Sequence, residues 1–365
     1  MMNELKKIVI IGGGTGGHVF PACSLYQYLF DKKFDVEIIT DKRGHRFLKD
    51  FAHLRTTKFL SASIFGKNPL NLILSLSIII LTFLRSLIFF ILNRPNIVFG
   101  MGGYTTFPIC IAAKLLNIPF IIYENNLIIG KANRYLLPFA KKIFLSYSET
   151  SGIKLKYKNK IVVTGNIIRK EILDFKLNKV IENNKILNIL VLGGSQAAKV
   201  FGEKLPEIFK LCKKNNIEIN IFQQCYTNQK KYLEDFYNKN LINNKIFRFN
   251  SNIVELFKEI DFVITRSGAS ILGELLNCRI PLITIPLMSA ADNHQYLNAK
   301  YFEENGYGFL VNENEIENNL FTLIKEIHKD KSILDQMINK QKNYNGREIF
   351  KKIYKEIESI IDAKN

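Results

Sequence analysis

The sequence predicts an α/β protein made of two Rossmann-like, doubly wound parallel-sheet domains that face each other across a cleft. Short β-branched runs alternate with longer helical patterns, which is the rhythm of parallel strands joined by crossover helices. That rhythm stops at a polar stretch, residues 178–188, and then begins again. With 365 residues, the chain is long enough for two ordinary domains.

The first half of the chain carries the strands of one predicted sheet. A strand at residues 8–11 leads through a glycine loop into a helical pattern at 18–30. Further strands are predicted at 36–40, 57–60, 96–99, 119–123, 142–145 and 160–163. We expect this half, residues 1–166, to form the first domain, with a C-terminal helix at 345–365 packing back on it.

The second half, residues 167–344, repeats the arrangement. A strand at 187–192 runs into the loop Gly193-Gly194-Ser195, and later strands are predicted at 217–222, 245–249, 261–265 and 281–285. In open parallel sheets, ligands bind beyond the carboxyl ends of the strands. Two such edges facing one another predict a single cleft for two large substrates.

Charge and cysteine content limit the class of partner and the compartment. The formal net charge of +18 predicts an anionic partner, namely nucleic acid, an acidic substrate or a membrane leaflet, although a bias toward Lys, Asn and Ile also arises from an AT-rich genome. The cysteines show no paired spacing, which predicts buried thiols in a reducing cytoplasm: Cys23, Cys110, Cys212, Cys225 and Cys278. The N-terminus lacks the pattern of a signal peptide, so we expect the protein to stay inside the cell.

An apolar segment at residues 70–92 is almost as long as a membrane span. The interpretation we rank first is one or two crossover helices packed on the sheet. The second is a helix whose exposed face enters one leaflet of the membrane. A true span ranks last because it would separate the strands at 57–60 and 96–99.

The first glycine loop has two interpretations. Gly12, Gly14 and Gly17 match the dinucleotide fingerprint, and Asp41 ends the second strand where a ribose-binding acid would lie, which favours a NAD- or FAD-dependent oxidoreductase. The second interpretation rests on His18, whose titratable imidazole lies at the helix start. We expect this imidazole to face the cleft. Pro21 is expected in the first helical turn, where its missing N–H does no harm.

A second glycine-rich loop spans residues 100–108 and again follows a strand. Its backbone N–H groups and the positive helix end would bind an anion without a metal. Any single glycine there is equally well explained by a tight turn with positive φ. The chain has three such loops, including the one at Gly193-Gly194-Ser195. Their number favours anion binding over three unrelated tight turns.

Two polar segments of the second half follow strand ends. Residues 265–274 enter a helix whose start would hold a diphosphate, and Glu274 would accept hydrogen bonds from ribose hydroxyls or pair with a nearby cation. Residues 290–298 collect amide and acid groups suited to sugar hydroxyls, with helix capping by Asp292 as the alternative.

These motifs occur together, in order, in a known family. The segments are Gly-Gly-Thr-Gly-Gly-His18-Val-Phe-Pro, Met101-Gly-Gly-Tyr104, Glu124-Asn125-Asn126, Gly165-Asn-Ile-Ile-Arg169, Gly193-Gly-Ser195-Gln196, Arg266-Ser-Gly-Ala269 and Asp292-Asn-His-Gln295. Over nearly its full length the chain resembles glycosyltransferase family 28, and within it the N-acetylglucosaminyltransferases of peptidoglycan synthesis. The combination is specific even though no single segment is.

The resemblance implies a GT-B fold and inverting transfer of N-acetylglucosamine from UDP-N-acetylglucosamine to undecaprenyl-pyrophosphoryl-N-acetylmuramoyl-pentapeptide, the step from lipid I to lipid II. It also implies a peripheral enzyme on the cytoplasmic face of the cell membrane, with an anionic membrane surface and other wall-synthesis proteins as partners. No nucleic acid, cofactor or metal is expected.

Site residues are carried over by position. The donor-binding residues are Thr15, Gly16, Gly17, Asn126, Arg169, Ser195, Asn250, Ala269, Ser270, Ile271, Leu272, Gly273, Glu274 and Gln295. The acceptor-side residues are Gly14, Gly103, Tyr104 and Asn133. His18 is the expected general base and Glu124 the reserve candidate, because the positive end of a helix favours the neutral imidazole that a base requires.

The chain departs from the family pattern at two places. Tyr123 to Asn126 stands where the family often has His-Glu-Gln-Asn, and Ala197 replaces a glycine. Loss of an imidazole at Tyr123 strengthens His18 as the base. The charge of the leaving nucleotide would be met by N–H groups near Ser195 and Ala269 and by Arg169 and Arg266.

Three alternatives remain at this point. A glycosyltransferase of the same fold acting on diacylglycerol shares the donor half. The oxidoreductase gives no role to the segments between Ser195 and Gln295. A nucleic-acid-binding protein explains the charge but not the three loops, and it ranks last.

Overall fold

The computed structural model describes residues 5–63, 68–175, 186–248, 253–344, 346 and 348–363, with backbone alone at 50 and 195–198. The predicted donor contact Asn250 and the end of the strand predicted at 245–249 lie outside the described residues. The chain divides into two compact units, Met1–Lys170 with Gly346–Asn365, and Glu171–Asn345.

Unit 1 contains a seven-stranded parallel sheet in the order β3-β2-β1-β4-β5-β6-β7. Its strands are β1 (Lys7–Ile11), β2 (Asp35–Thr40), β3 (Thr56–Lys58), β4 (Ile97–Gly100), β5 (Phe120–Glu124), β6 (Lys142–Leu145) and β7 (Ile161–Val163). The central strand β1 is buried from Ile8 to Ile11, which explains its unbroken apolar run. Chain order reverses at β1, where β2 and β4 flank it.

Helices cover this sheet. They are α1 (Gly16–Asp31), α2 (Lys42–His45), α3 (Pro69–Leu92), α4 (Thr106–Leu115), α5 (Lys131–Leu136), α6 (Lys170–Asp174, at the unit boundary) and the C-terminal α14 (Ile349–Asp362). Helix α14 packs on α1, where the rings of Tyr28 and Phe350 stack with centroids 4.8 Å apart. One apolar face of α14, including Ile353 and Ile357, is buried against unit 1.

Unit 2 contains a six-stranded parallel sheet in the order β10-β9-β8-β11-β12-β13. Its strands are β8 (Ile186–Leu192), β9 (Glu218–Gln224), β10 (Asn243–Phe247), β11 (Phe262–Thr265), β12 (Leu282–Thr284) and β13 (Phe309–Leu310). Its helices are α7 (Gly194–Lys214), α8 (Lys230–Lys239), α9 (Ile253–Glu259), α10 (Ala269–Cys278), α11 (His294–Glu304), α12 (Phe321–Lys329) and α13 (Ser332–Gln341). Both sheets have the same strand order about their first strand, which confirms the predicted class of two Rossmann-like domains.

Helix α3 is a crossover helix, as the favoured interpretation of the apolar segment predicted, but most of its apolar side chains lie outside the core. It is a single helix between β3 and β4. Its buried side chains are Ser75, Thr82, Ser86 and Phe90, and the half-buried Phe83, Leu87 and Phe89 pack against the core of unit 1. Large apolar side chains face outward: Leu70, Leu72, Ile73, Leu74, Leu76, Ile80, Leu81, Leu84, Ile88, Ile91 and Leu92 are exposed. A core helix has the opposite distribution.

All five cysteines are buried thiols, as predicted. Burial raises the pKa of Cys23 and of Cys212 to about 12, so these thiols are neutral and unreactive.

Candidate active site

In unit 1, His18 lies against the second glycine loop. It is the third residue of α1, which starts at Gly16 directly after the first glycine loop. A Cβ atom on Gly102 would be 3.2 Å from the imidazole Cε1, and one on Gly103 would be 3.4 Å from its Cδ2. Both glycines have positive φ, so only glycine gives the ring this space without strain.

Glu124, the last residue of β5, organises the loop that follows it. One carboxylate oxygen accepts hydrogen bonds from the backbone N–H and side-chain amide of Asn126, at 3.2 and 2.9 Å. The other accepts from the Gly130 N–H at 2.8 Å and from the Asn133 amide at 3.0 Å. Four donors therefore saturate this buried carboxylate.

The helix containing His18 differs from the prediction at Pro21. Because α1 begins at Gly16, this proline lies in the second turn, inside the helix. It cannot donate to the Gly17 carbonyl four residues earlier. The side-chain amide of Asn125 donates to that carbonyl instead, at 3.4 Å. Asn125 thus ties the loop after β5 to the helix of His18.

Asp41 supports the first glycine loop. Its buried Oδ1 accepts from the Gly14 N–H at 2.9 Å and from the Gly44 N–H at 2.7 Å, and its Oδ2 accepts from the Ser61 hydroxyl. Burial raises the pKa of this carboxyl, but the Ser61, Gly14 and Gly44 hydrogen bonds and the charge of Arg43 outweigh it, so the pKa lies below its ordinary value.

The Asp41 contacts weaken the oxidoreductase alternative. A ribose-binding acid must present its carboxylate to the ligand. Here both oxygens are bound by the chain itself, and the side chain is 2% exposed. Asp41, on which the oxidoreductase alternative depended, therefore has both carboxylate oxygens already hydrogen-bonded.

Two tyrosines near these loops have different surroundings. Tyr104 is half-buried in the loop between β4 and α4. Tyr123, at the position where an imidazole was expected in relatives, is 2% exposed, and its hydroxyl accepts from the Ile167 N–H at 2.9 Å and lies 2.8 Å from the Ser146 hydroxyl. Tyr123 therefore braces the segment after β7, which leads to the half-buried Arg169.

In unit 2, α10 begins at Ala269 after an extended N-cap residue, Gly268, which has no side chain to cap the helix. The first N–H groups, at Ala269 to Ile271, are those that a helix leaves for an anion, whereas the Leu272 N–H already donates to the Gly268 carbonyl at 3.1 Å. Glu274 follows within the second turn and is 8% exposed. The segment predicted to hold the donor thus forms one continuous helix start.

Arg266, predicted as a cation for the leaving group, is buried and its Nη1 is bound by neighbouring loops. Its Nη1 donates to the carbonyls of Ile285 and Pro286, both at 3.0 Å, and lies 2.5 Å from a carboxylate oxygen of Glu313. The guanidinium also lies over the ring of Phe201, 4.9 Å from its centroid. This buried arginine joins the loops that follow β11, β12 and β13.

The loop after β12 is strained next to Gln295. Asp292 and Asn293 both adopt left-handed conformations, with φ of 52° and 54°. Asn293, not Asp292, is the residue at the N-cap of α11, which corrects the capping alternative. The Gln295 side-chain oxygen accepts from the Leu287 N–H at 2.9 Å, which fixes the orientation of its amide. Such strain is typical of ligand-binding loops.

The Gly193-Gly194 loop of unit 2 begins α7, and Ser195 is the second residue of that helix. Gln224, the last residue of β9, accepts a hydrogen bond from the Gly194 N–H at 3.2 Å and donates to the Arg248 carbonyl at 3.2 Å. Sequence reasoning missed Gln224, Asn125 and the supporting role of Asp41. The sequence could have indicated two of these residues by their position. Asp41 directly follows the second strand of its sheet, and Gln224 is the last residue of the corresponding strand in unit 2.

Within their own units, the predicted residues fall into two groups. Unit 1 places His18, Gly103, Asn133, Glu124 and Asn126 along one sheet edge, through the contacts described above. Unit 2 places Ser195, the start of α10 and Gln295 after the carboxyl ends of β8, β11 and β12. In the described residues no group of three His, Cys, Asp or Glu side chains could hold a metal ion.

Two Rossmann-like units in one chain, each with a glycine loop at its carboxyl edge, define the architecture of the GT-B glycosyltransferases. The family models agree: residues 8–145 match the glycosyltransferase family 28 N-terminal domain, and residues 188–357 match its C-terminal domain. The chain belongs to glycosyltransferase family 28.

Named relatives cover most of the chain. It is 37% identical over 316 residues, 86% of this chain and 87% of the relative, to the UDP-N-acetylglucosamine--N-acetylmuramyl-(pentapeptide) pyrophosphoryl-undecaprenol N-acetylglucosamine transferase of Rickettsia bellii. The protein of the same name from Pelagibacter ubique is 34% identical over 342 residues, 92% of this chain and 89% of that protein. The crystal structure of Acinetobacter baumannii MurG superposes with a TM-score of 0.77 at 24% identity, covering 97% of this chain and 99% of that one.

Proposed function

We propose that this chain transfers N-acetylglucosamine from UDP-N-acetylglucosamine to the 4-hydroxyl of the N-acetylmuramoyl sugar in undecaprenyl-pyrophosphoryl-N-acetylmuramoyl-pentapeptide. One observation carries the proposal: relatives bearing the name of this transferase are at least 34% identical over at least 86% of the chain. The paired Rossmann units and their glycine loops provide the expected sites for a nucleotide and a second phosphorylated substrate.

His18 is the general base in this mechanism. Inverting transfer needs a group that accepts the proton of the attacking 4-hydroxyl. The imidazole lies at the start of α1 and between the two glycine loops of unit 1, where substrate approaches backbone rather than side chains. Glu124 is assigned a positioning role instead, because four N–H donors already occupy its carboxylate.

The donor nucleotide binds to unit 2. The start of α10 would bind the diphosphate through backbone N–H groups, and Glu274 would accept hydrogen bonds from the ribose. Gln295, oriented by Leu287, would present its amide nitrogen to the phosphates or the sugar. As the bond to the sugar breaks, the charge developing on UDP is stabilised by these groups.

The remaining site assignments stay predictions. Thr15, Gly16, Gly17 and Asn126 belong to unit 1 and would contact the transferred sugar, and Arg169, also of unit 1, would be a cation for the phosphates. Gly14, Gly103, Tyr104 and Asn133 would line the acceptor side. The wall-synthesis partners likewise stay a prediction.

Incubation with UDP-N-acetylglucosamine and a lipid I analogue tests the function, with mass detection of the product. Addition of one N-acetylhexosamine is expected, and UDP-glucose should give little product. A diacylglycerol acceptor provides the control for the rival glycosyltransferase. Absence of transfer to the lipid I analogue, or better transfer to diacylglycerol, would reject the proposal.

Helix α3 is proposed to hold the enzyme on the cytoplasmic surface of the membrane. By length and composition alone it could cross a bilayer. However, its inner face is attached to unit 1, where the Thr82 hydroxyl donates to the Leu60 carbonyl at 3.0 Å and Phe90 is fully buried. The outward apolar side chains would then enter one leaflet along the length of the helix, and basic side chains would attract its anionic headgroups.

Vesicle flotation tests this attachment. The wild-type protein should float with vesicles that contain phosphatidylglycerol, and the double variant Ile80→Asp/Leu84→Asp should stay in solution because both side chains are exposed on α3. Leu155→Asp is the matched control, since Leu155 is 76% exposed elsewhere on unit 1. Equal flotation of all three proteins would contradict the proposed role of α3.

A further inference from the structure

We propose that Arg43 binds the diphosphate of the lipid-linked acceptor beside Gly14, an inference that rests on the proposed function. Neither the motifs nor the family positions point to this residue. It lies in the short helix α2, which follows Asp41 and packs against the first glycine loop.

The geometry places a cation over the open side of Gly14. This glycine has a φ of 84°, and a Cβ atom built on it would lie 3.5 Å from the Arg43 Nη2. Among the described residues, the space above Gly14 is therefore bordered by the Arg43 guanidinium. Helix α2 is held in place there, because a Cβ on Gly44 would be 3.1 Å from the Gly13 Cα.

Arg43 is not needed to satisfy Asp41. The carboxylate already accepts from Gly14, Gly44 and Ser61, while the Arg43 Nη2 lies 3.5 Å from its Oδ2. Arg43 is 57% exposed, and an ion pair of this exposure adds little to stability. Asp41 instead orients the guanidinium, which keeps further N–H donors for a ligand and suits the paired oxygens of a phosphate.

The position fits the chemistry of the acceptor. In that substrate the diphosphate is attached at carbon 1 of the sugar whose 4-hydroxyl reacts, so the base and the diphosphate-binding cation must be separated by about one sugar ring. His18 and Arg43 border the same short loop: the ring of His18 faces Gly103, whose Cβ would be 3.7 Å from the Gly13 carbonyl, and Arg43 faces Gly14. One sugar between them would present its hydroxyl to the first and its diphosphate to the second.

Steady-state kinetics of three variants test this inference. Arg43→Ala should raise the acceptor KM by about tenfold, as expected for the loss of a charge-assisted hydrogen bond, and leave the donor KM unchanged. Arg43→Lys should recover part of the loss. Arg46→Ala, an exposed arginine three residues further on, is the matched control and should behave as wild type.

A second acceptor sharpens the test. With an analogue whose diphosphate is replaced by an uncharged linker, wild type and Arg43→Ala should react at equal rates. An unchanged acceptor KM in Arg43→Ala would overturn the inference, and so would a raised donor KM, which would assign the cation to the nucleotide diphosphate. A wild-type enzyme that transfers nothing to lipid I analogues would overturn the proposed function, and this inference with it.

Discussion

The first glycine loop of unit 1 and the Gly193-Gly194 loop of unit 2 are supported in the same way, by a charged side chain in unit 1 and by a neutral one in unit 2. In unit 1 the Gly14 N–H donates to Asp41, which follows β2, at 2.9 Å; in unit 2 the Gly194 N–H donates to Gln224, which ends β9, at 3.2 Å. Each supporting side chain comes from the second strand of its sheet, next to the central strand that precedes the loop.

The difference in charge fits the proposed ligands. A carboxylate at Gln224 would face the diphosphate of the donor, whereas the neutral amide adds no repulsion. In unit 1 the carboxylate of Asp41 is accompanied by the cation Arg43. We infer that the loop of unit 2 is adapted to a nucleotide and the loop of unit 1 to the acceptor and the catalytic base.

The largest effect is expected in unit 1. His18→Ala should lower kcat by about 10²–10⁴-fold, the range of general base catalysis, with the donor KM near wild type. Steady-state kinetics with both substrates would measure this, with the exposed His53→Ala as control. A parallel loss of donor affinity would make His18 a binding residue.

In unit 2, a new negative charge should weaken donor binding, which the loss of His18 should leave unchanged. Gln224→Glu places a carboxylate beside the Gly194 loop and should weaken UDP binding by about tenfold, because like charges at close range cost roughly 1–2 kcal/mol near a protein surface. Calorimetric titration of UDP would measure this. Asn228→Asp adds the same charge at an exposed position, and equal affinities in the two variants would refute the role of Gln224.

A smaller effect, again on the donor alone, is expected at Glu274. Glu274→Ala should raise the donor KM by roughly five- to tenfold, since one carboxylate bound to ribose hydroxyls is lost, and kcat should fall less. An unchanged donor KM would exclude the ribose contact. The same kinetic assay as for His18 applies.

The smallest effect concerns stability rather than turnover. An unfolded aspartate has a pKa of about 4, and the pKa of Asp41 lies below that value in the folded state. The charged carboxylate therefore stabilises the fold above about pH 4, and this contribution is lost as the pH falls through the folded-state pKa. Asp41→Asn should therefore be less stable than wild type at neutral pH, by about 1–2 kcal/mol. Urea unfolding should show this gap narrowing under acid conditions, whereas the exposed Asp235→Asn should show no gap at either pH.

Much of the fold follows from the pattern of the sequence. Buried parallel strands such as β1 and β6 are continuous apolar runs, and their positions were predicted to within a residue. Strand β13 has two residues, too few for any pattern. The start of α1 was misplaced because Pro21 is normally tolerated only in a first turn, and here a distant amide, Asn125, compensates for it.

Side-chain roles were less predictable than loop positions. The sequence places Asp41 and Arg266 at strand ends, but only contacts with residues far along the chain decide what each one binds. Helix α3 shows the same limit: its apolar composition is evident, yet the direction of its apolar face depends on the packing of Ser75, Thr82 and Ser86. Composition alone does not distinguish a core helix from a membrane-facing one.

Hydrogen exchange with and without UDP tests most directly whether unit 2 holds the nucleotide and unit 1 does not. UDP lacks the transferred sugar, so its binding should slow exchange of the backbone N–H groups at the start of α10, from Ala269 to Ile271, and at Gly194. The N–H groups of residues 12–17 should exchange at an unchanged rate. Protection of residues 12–17 without protection at α10 would contradict the assignment of the two loops.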